Sequence, residues 1–200
     1  MTFFYRLLNH HLLYQLSQIV LAPGGQSDLQ KQVHRIAQKI MGKGQILDVG
    51  CGPASWLWKE GIQPIGIDLS FNYTQAFCSQ KGYAVTGSAT DLPFVSASFA
   101  GIWSIGLFHH LTDDMARAAL SEMVRVTTPG GFCVILDAVL PCSAWRKPIP
   151  WLIRKLDRGK FMRNQDNMYQ IIASSDSEWH CERFSYSLYG LEAVICWSEL

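Results

Sequence analysis

The chain has 200 residues, 48% of them hydrophobic and 16% charged, enough for one well-buried core and too short for two ordinary domains. Seventeen Lys and Arg against sixteen Asp and Glu leave a net charge of +1, which argues against a protein whose main task is to coat nucleic acid or lie on an anionic membrane. The hydrophobic share excludes a disordered chain.

Residues 3–22 are rich in Leu, Ile, Phe and Tyr, but Arg6, Asn9, His10, His11, Gln15, Ser17 and Gln18 interrupt them, so neither a spanning helix nor a signal peptide is expected. Phe4, Leu8, Leu12, Leu16 and Ile19 recur at helical spacing and predict a helix over 4–20, ended by Pro23-Gly24-Gly25. A second helix is expected from an N-cap at Ser27 or Asp28 to Gly42, with Leu29, Val33, Ile36 and Ile40 on one face. The period then changes. Strands are predicted at 46–50, 64–69, 83–87, 99–106 and 132–138, alternating with helices at 53–60, 71–81 and 113–126 and with a Pro129-Gly130-Gly131 turn. Residues 141–178 form a basic, aromatic, helical insertion, and 179–187 with 191–197 form a closing antiparallel pair around Tyr189-Gly190. The pattern is that of a Rossmann-like, doubly wound α/β fold with a mostly parallel seven-stranded sheet. A single domain is expected, divided into a helical cap (1–42), a ligand-binding core (43–140), a lid insertion (141–178) and closing strands (179–200).

The six cysteines, at 51, 78, 133, 142, 181 and 196, show no zinc-finger spacing, and Cys51 and Cys133 fall in core segments. Buried reduced thiols and a cytoplasmic location are expected. No residues form a metal constellation; His34 and His180 stand alone.

Residues 46–54, ILDVGCGPA, place Gly50 and Gly52 at a strand-to-helix turn, where the missing Cβ lets a ligand approach the backbone. Asp68 closes the next strand, where an acidic side chain accepts hydrogen bonds from ribose hydroxyls. A nicotinamide dinucleotide would share both features. However, Ser55 stands where the third glycine of its fingerprint belongs, and Asp48 inside the strand would repel a pyrophosphate. A cationic ligand fits better.

Taken in order, ILDVGCGPA, IGIDLS at 65–70, GSATDLPF at 87–94, IWSIGLFHHL at 102–111 and EMVRVTTPGGFCVILD at 122–137 resemble the class I S-adenosylmethionine-dependent methyltransferases. The resemblance covers roughly Lys43 to Leu140 and is greatest to the small-molecule branch that includes the ubiquinone and menaquinone C-methyltransferases. It implies S-adenosyl-L-methionine as cofactor and S-adenosylhomocysteine as product. Asp48, Gly50, Cys51 and Gly52 would surround the amino-acid end of the cofactor, Asp68 would hold its ribose, and Leu69, Ser88 and Ala89 would meet the adenine. The backbone carbonyl of Ser104 would face the ammonium. Ser88 and Ala100 replace residues that the family usually has acidic; Asp91 is close enough in sequence to share the role at Ser88, and Ala100 reads as a packing change.

Methyl transfer needs alignment and exclusion of water, with a base where the acceptor must lose a proton. His109 and His110 follow the fourth strand and Asp137 ends the fifth, so one histidine, oriented by Asp137, is the candidate base; capping of the next helix is the alternative use of that pair. Between 146 and 163 lie seven basic residues and one acid, a local charge of +6 accompanied by Trp145, Trp151 and Phe161. Such a segment suits a small, largely apolar methyl acceptor bearing an anionic group, or a negatively charged carrier or membrane surface, or else is a solvated helix face. The competing functions are a non-catalytic methyltransferase-like partner subunit and an NAD(P)-dependent oxidoreductase. A nucleic-acid substrate is not expected, because no separate recognition domain is visible.

Overall fold

The apolar run after Gln45 is a strand, β1 (Ile46–Val49), buried along its whole length. Parallel to it run β2 (Ile65–Asp68), β3 (Tyr83–Thr86), β4 (Phe99–Ile105) and β5 (Thr127–Val139). The computed structural model describes residues 22–80, 82–157 and 159–200; the helix expected over 4–20, with His10 and His11, lies outside the described residues. β6 (His180–Tyr186) and β7 (Leu191–Glu199) complete a seven-stranded sheet of order β3-β2-β1-β4-β5-β7-β6. Because β7 is antiparallel to both β5 and β6, six of these strands point one way. The architecture is the Rossmann-like doubly wound sheet.

Alternate strand residues feed two apolar layers. Leu47, Ile102, Cys133, Ile135 and Val194 face one layer, shared with α3 (Asp113–Val126) and α5 (Gln165–Ile172). Ile46, Trp103, Val134, Leu136 and Ile195 face the other, which is covered by α1 (Gly25–Ile40) through Val33, Ile36, Ala37 and Ile40. A strand buried on both faces is apolar at nearly every position, so these segments read as almost continuous runs, and the buried polar residues within them, Asp48, Ser104 and Asp137, stand out. The remaining helices are α2 (Phe71–Ser79) and α4 (Pro148–Lys155). No helix among the described residues is long and apolar enough to cross a membrane.

Four expectations are corrected. First, α1 starts at Gly25, before the expected cap, because Gly24 at φ 76° turns the chain into the helix while Ser27 Oγ donates to Gly24 O at 2.8 Å. Second, 53–60 is not an α-helix. The left-handed glycine turn and Pro53 consume the space before Ser55, and only five residues, Trp56–Glu60, remain before left-handed Gly61, so they close a 3-10 helix. Third, β5 begins at Thr127 rather than 132: Pro129-Gly130-Gly131 lies within the strand, where its register on β4 slips between Phe99 and Gly101. Fourth, not all the cysteines are reduced. Cys181 of β6 and Cys196 of β7 stand directly opposite and form a disulfide, which removes the cysteine-based reason for a reducing compartment.

Candidate active site

In a sheet of this order the chain leaves β1 toward β2 and β3 on one side and returns to β4 and β5 on the other, opening a crevice at the carboxyl ends of β1 and β4. Ser104 of β4, fully buried, spans it by donating its Oγ hydrogen to Val49 O at 3.0 Å. Beyond Val49 the chain turns through Gly50 (φ 73°) and Gly52 (φ 59°), a backbone region that residues with a Cβ rarely adopt. The N–H groups of Gly50 and Cys51 both donate to Ile67 O, at 2.8 and 3.1 Å, which ties the turn to β2. A Cβ on Gly52 would meet no atom within 4 Å, so the turn opens there onto free space.

The carboxylates beside this turn are in unlike states. Asp68 accepts the N–H of Gly52 at 3.0 Å and of Ser70 at 2.8 Å, and its remaining lone pairs stay available to hydroxyl donors. Asp48 is 4% exposed and accepts the Ser55 hydroxyl at 2.5 Å, with no cationic partner among the described residues. Burial pushes its pKa up to about 7, the Ser55 hydrogen bond opposing and the charge of Asp68 adding to the rise. A buried carboxylate lacking a countercharge beside an open glycine turn fits a ligand that brings its own cation. Ser55, read in the sequence as a missing glycine, thus has two tasks. It hydrogen-bonds Asp48 and accepts the Leu57 N–H at 3.2 Å to cap the 3-10 helix.

Other expected contacts are distributed more loosely. Cys51 offers backbone to the turn, while its side chain packs where Gly66 lacks a Cβ; one there would lie 2.6 Å from the Cys51 sulfur. Leu69 is 77% exposed beside Asp68. Gly87 N–H donates to Asp68 O at 3.0 Å, which sets the loop after β3 next to the same carboxyl end. In that loop Ser88 and Asp91 face each other across a single bridge, the Ser88 hydroxyl is engaged with Thr90 Oγ1 at 2.8 Å, and Ala89 packs against the core. Ala100 lies away from this end: its N–H donates to Gln45 O at the start of the sheet, and its methyl sits against Gly44.

The second half of the site is built on Asp137, 1% exposed at the end of β5. One of its oxygens accepts the backbone N–H groups of Phe108 at 2.5 Å and His109 at 3.2 Å. The other lies 2.6 Å from His109 Nδ1 and accepts Ala138 N–H. Burial alone would raise the Asp137 pKa, but the neighbouring imidazole and these donors hold it below the usual carboxylate value. Burial likewise works against a proton on His109, and the charge and hydrogen bond of Asp137 outweigh it, leaving the histidine pKa raised. His110 shifts down, first through burial and then through the charge of His109, whose ring centroid is 4.2 Å away.

The structure therefore brings His109 and Asp137 together, and only His109 of the two histidines is held by the carboxylate. It also joins the two halves of the site, because a Cβ on Gly50 would lie 3.0 Å from the side chain of Leu107, two residues before His109.

Three residues of the basic segment, whose contacts with His109 and its turn the sequence does not reveal, hold this corner. Gly159 presses on His109, since a Cβ there would fall 2.1 Å from the ring, and Phe161 N–H donates to His109 O at 3.1 Å. Arg163, 6% exposed, donates to Phe108 O and Leu111 O at 2.6 Å each and pairs with Asp113 at 2.8 Å. The basic segment is thus less free than its composition suggests. Arg154 is buried on the Tyr186 hydroxyl, Glu192 O and Asp157, and Lys147 pairs with Glu192 at 2.7 Å.

With that geometry in hand, comparison with known proteins gives the family. The profile of a methyltransferase domain matches residues 47–135. A demethylmenaquinone methyltransferase of Mycobacterium marinum is 32% identical over 173 residues, covering 83% of this chain and 73% of that protein. A tRNA (carboxymethyluridine(34)-5-O)-methyltransferase of Arabidopsis thaliana is 38% identical over 96 residues, which are 45% of this chain and 23% of that protein. Among solved structures, an S-adenosylmethionine-dependent methyltransferase from Archaeoglobus fulgidus superposes with a TM-score of 0.74 at 17% identity, over 94% of this chain and 99% of that one.

The chain belongs to the class I S-adenosylmethionine-dependent methyltransferases. Within that class it resembles the menaquinone group, and it is an enzyme that uses S-adenosylmethionine. Neither the partner-subunit nor the oxidoreductase reading finds support.

Proposed function

We propose that this methyltransferase acts on a small, largely apolar acceptor and that His109, oriented by Asp137, removes the acceptor's proton. The observation that carries this reading is the 2.6 Å contact between His109 Nδ1 and the buried Asp137 carboxylate at the carboxyl ends of β4 and β5. It fixes the tautomer that leaves Nε2 with a lone pair. The similarity to a demethylmenaquinone methyltransferase supports an apolar acceptor.

On this reading the glycine turn at 50–52 admits the cofactor to the backbone, Asp48 faces its ammonium, and Asp68 holds its ribose hydroxyls. The loop with Ser88, Ala89 and Asp91 and the side chain of Leu69 border the adenine, and Ser104 directs its carbonyl to the ammonium. S-adenosylmethionine supplies an electrophilic methyl group on a sulfonium sulfur. When the acceptor takes that methyl group, His109 Nε2 would receive the proton that the acceptor gives up. His110, whose pKa burial and the charge of His109 push down, stacks beside it.

The test is methyl transfer from labelled S-adenosylmethionine to a short-tailed demethylmenaquinone, followed from pH 5.5 to 9. Turnover should rise with pH through a midpoint above the ordinary histidine value, because only the neutral imidazole accepts a proton. In Asp137→Asn the rate should fall about a hundredfold or more and the midpoint should move down, since the charge that chiefly opposes burial of His109 is then gone and only the weaker influence of Asp157 still raises it. A His109→Ala variant with full turnover across that range would sink the assignment.

A further inference from the structure

We propose that the cleft beside α4 is an anion-binding subsite, which seats a carboxylate or phosphate of the methyl acceptor next to His109. The inference rests on the methyl-transfer reading above and adds to it the chemical class of the acceptor: an amphiphile with one anionic group.

The cleft has a volume of about 280 Å³, close to the lower end of small-ligand sites, which run from about 300 Å³. Three cations and one acid line it. Arg154 and Asp157 pair with each other at 3.3 Å, and Asp157 also accepts Gly159 N–H at 3.3 Å, so the acid is already occupied. Lys155 and Lys160 are exposed, line the same cleft and meet no carboxylate among the described residues. The cleft therefore presents two lysines without a carboxylate partner among the described residues, the Lys155 ammonium lying 5.4 Å from the Trp151 ring centroid. Arg154 itself is 6% exposed, with its guanidinium turned to Asp157, the Tyr186 hydroxyl and Glu192 O, so the two lysines carry the accessible charge.

Position links the cleft to the chemistry. Gly159 lies in its wall and against the imidazole of His109, so one residue's backbone separates the cleft from the candidate base. Leu140 and Met162 line the same space and offer apolar contact. An anion between Lys155 and Lys160 would leave the apolar remainder of the molecule beside these two side chains. Among acceptors of similar apolar size, charge would thus decide which are held at His109.

Titration calorimetry on the full chain saturated with S-adenosylhomocysteine tests this with decanoate, decyl phosphate and decanol, below their aggregation limits. Wild type should bind at least one of the two anions about tenfold more tightly than the alcohol, and the preference should shrink as salt rises. Preference for one anion distinguishes a carboxylate site from a phosphate site. Lys155→Gln with Lys160→Gln should abolish the preference, Lys155→Arg with Lys160→Arg should retain it, and neither pair should change S-adenosylhomocysteine affinity. Equal binding of acid, phosphate and alcohol, undetectable binding of both anions, or an undiminished preference in the glutamine pair would overturn the subsite while leaving the methyltransferase reading intact. Absence of S-adenosylhomocysteine binding to wild type would overturn both.

Discussion

At the scale of single residues, the most informative side chain is Asp48. A buried carboxyl whose pKa is pushed up to about 7 holds its proton more tightly when folded than when unfolded, so its contribution to stability is greatest at low pH and declines as pH rises toward 7. Asp48→Asn, which can still accept the Ser55 hydroxyl, should therefore stabilise the ligand-free protein at pH 8 by on the order of 3 kcal/mol, read from urea unfolding. The same change should weaken S-adenosylhomocysteine binding, because a cationic ammonium favours the ionised acid. In wild type the affinity should rise with pH and level off above about 7, whereas in the variant it should be flat over that range. A variant that binds as well as wild type at pH 8 would show that Asp48 does not face the ammonium.

At the scale of elements, the stretch 145–163 after β5 is tied down by the buried Arg154 and Arg163. Arg163 satisfies two carbonyls of the turn between β4 and α3 and pairs with Asp113 at the start of that helix. Arg163→Ala strands both carbonyls and should cost roughly 2–5 kcal/mol. Arg163→Lys, which lacks the planar fork, should recover only part of this in the same denaturation assay. Trp145 meanwhile is 93% exposed, and Ile149 and Leu152 on α4 and Leu156 just after it are also exposed.

The β6–β7 hairpin makes a second element-scale prediction. Under denaturing, non-reducing conditions four cysteines should alkylate, at 51, 78, 133 and 142, and peptide mapping should recover Cys181 linked to Cys196. Six reactive thiols would refute the pairing. The signal was present in the sequence. A hairpin turning at Tyr189-Gly190 that pairs Tyr186 with Leu191 places Cys181 opposite Cys196, a match that strand register reveals and cysteine spacing alone does not.

At the scale of the whole molecule, a ligand that binds only the native state must stabilise it. S-adenosylhomocysteine at a hundred times its dissociation constant should add about 2.7 kcal/mol, seen as a rise in thermal midpoint, while NADP should leave the midpoint unchanged. A selective response to NADP would contradict the family's chemistry. The charge count also changes meaning at this scale. A net +1 is +6 in residues 146–163 set against −5 elsewhere, and of those seven basic residues Lys147, Arg154 and Arg163 are tied into ion pairs.

The sequence by itself determined the sheet, the glycine turn and the family. Strands buried on both faces require nearly unbroken apolar runs, left-handed turns require glycine, and both demands are local enough to be read along the chain. It also put His109, His110 and Asp137 near one another, because strand ends in a parallel sheet share an edge. Only the tertiary structure decided which histidine Asp137 holds and that Ser55 partners Asp48. It likewise decided which basic residues are buried. Apart from Ser55 and Asp48, seven positions apart, these depend on distance between residues far apart in the chain. Asp137 and His109 are 28 positions apart, and Arg163 and Phe108 are 55 apart. Packing of the layers sets those distances, and no local pattern records them.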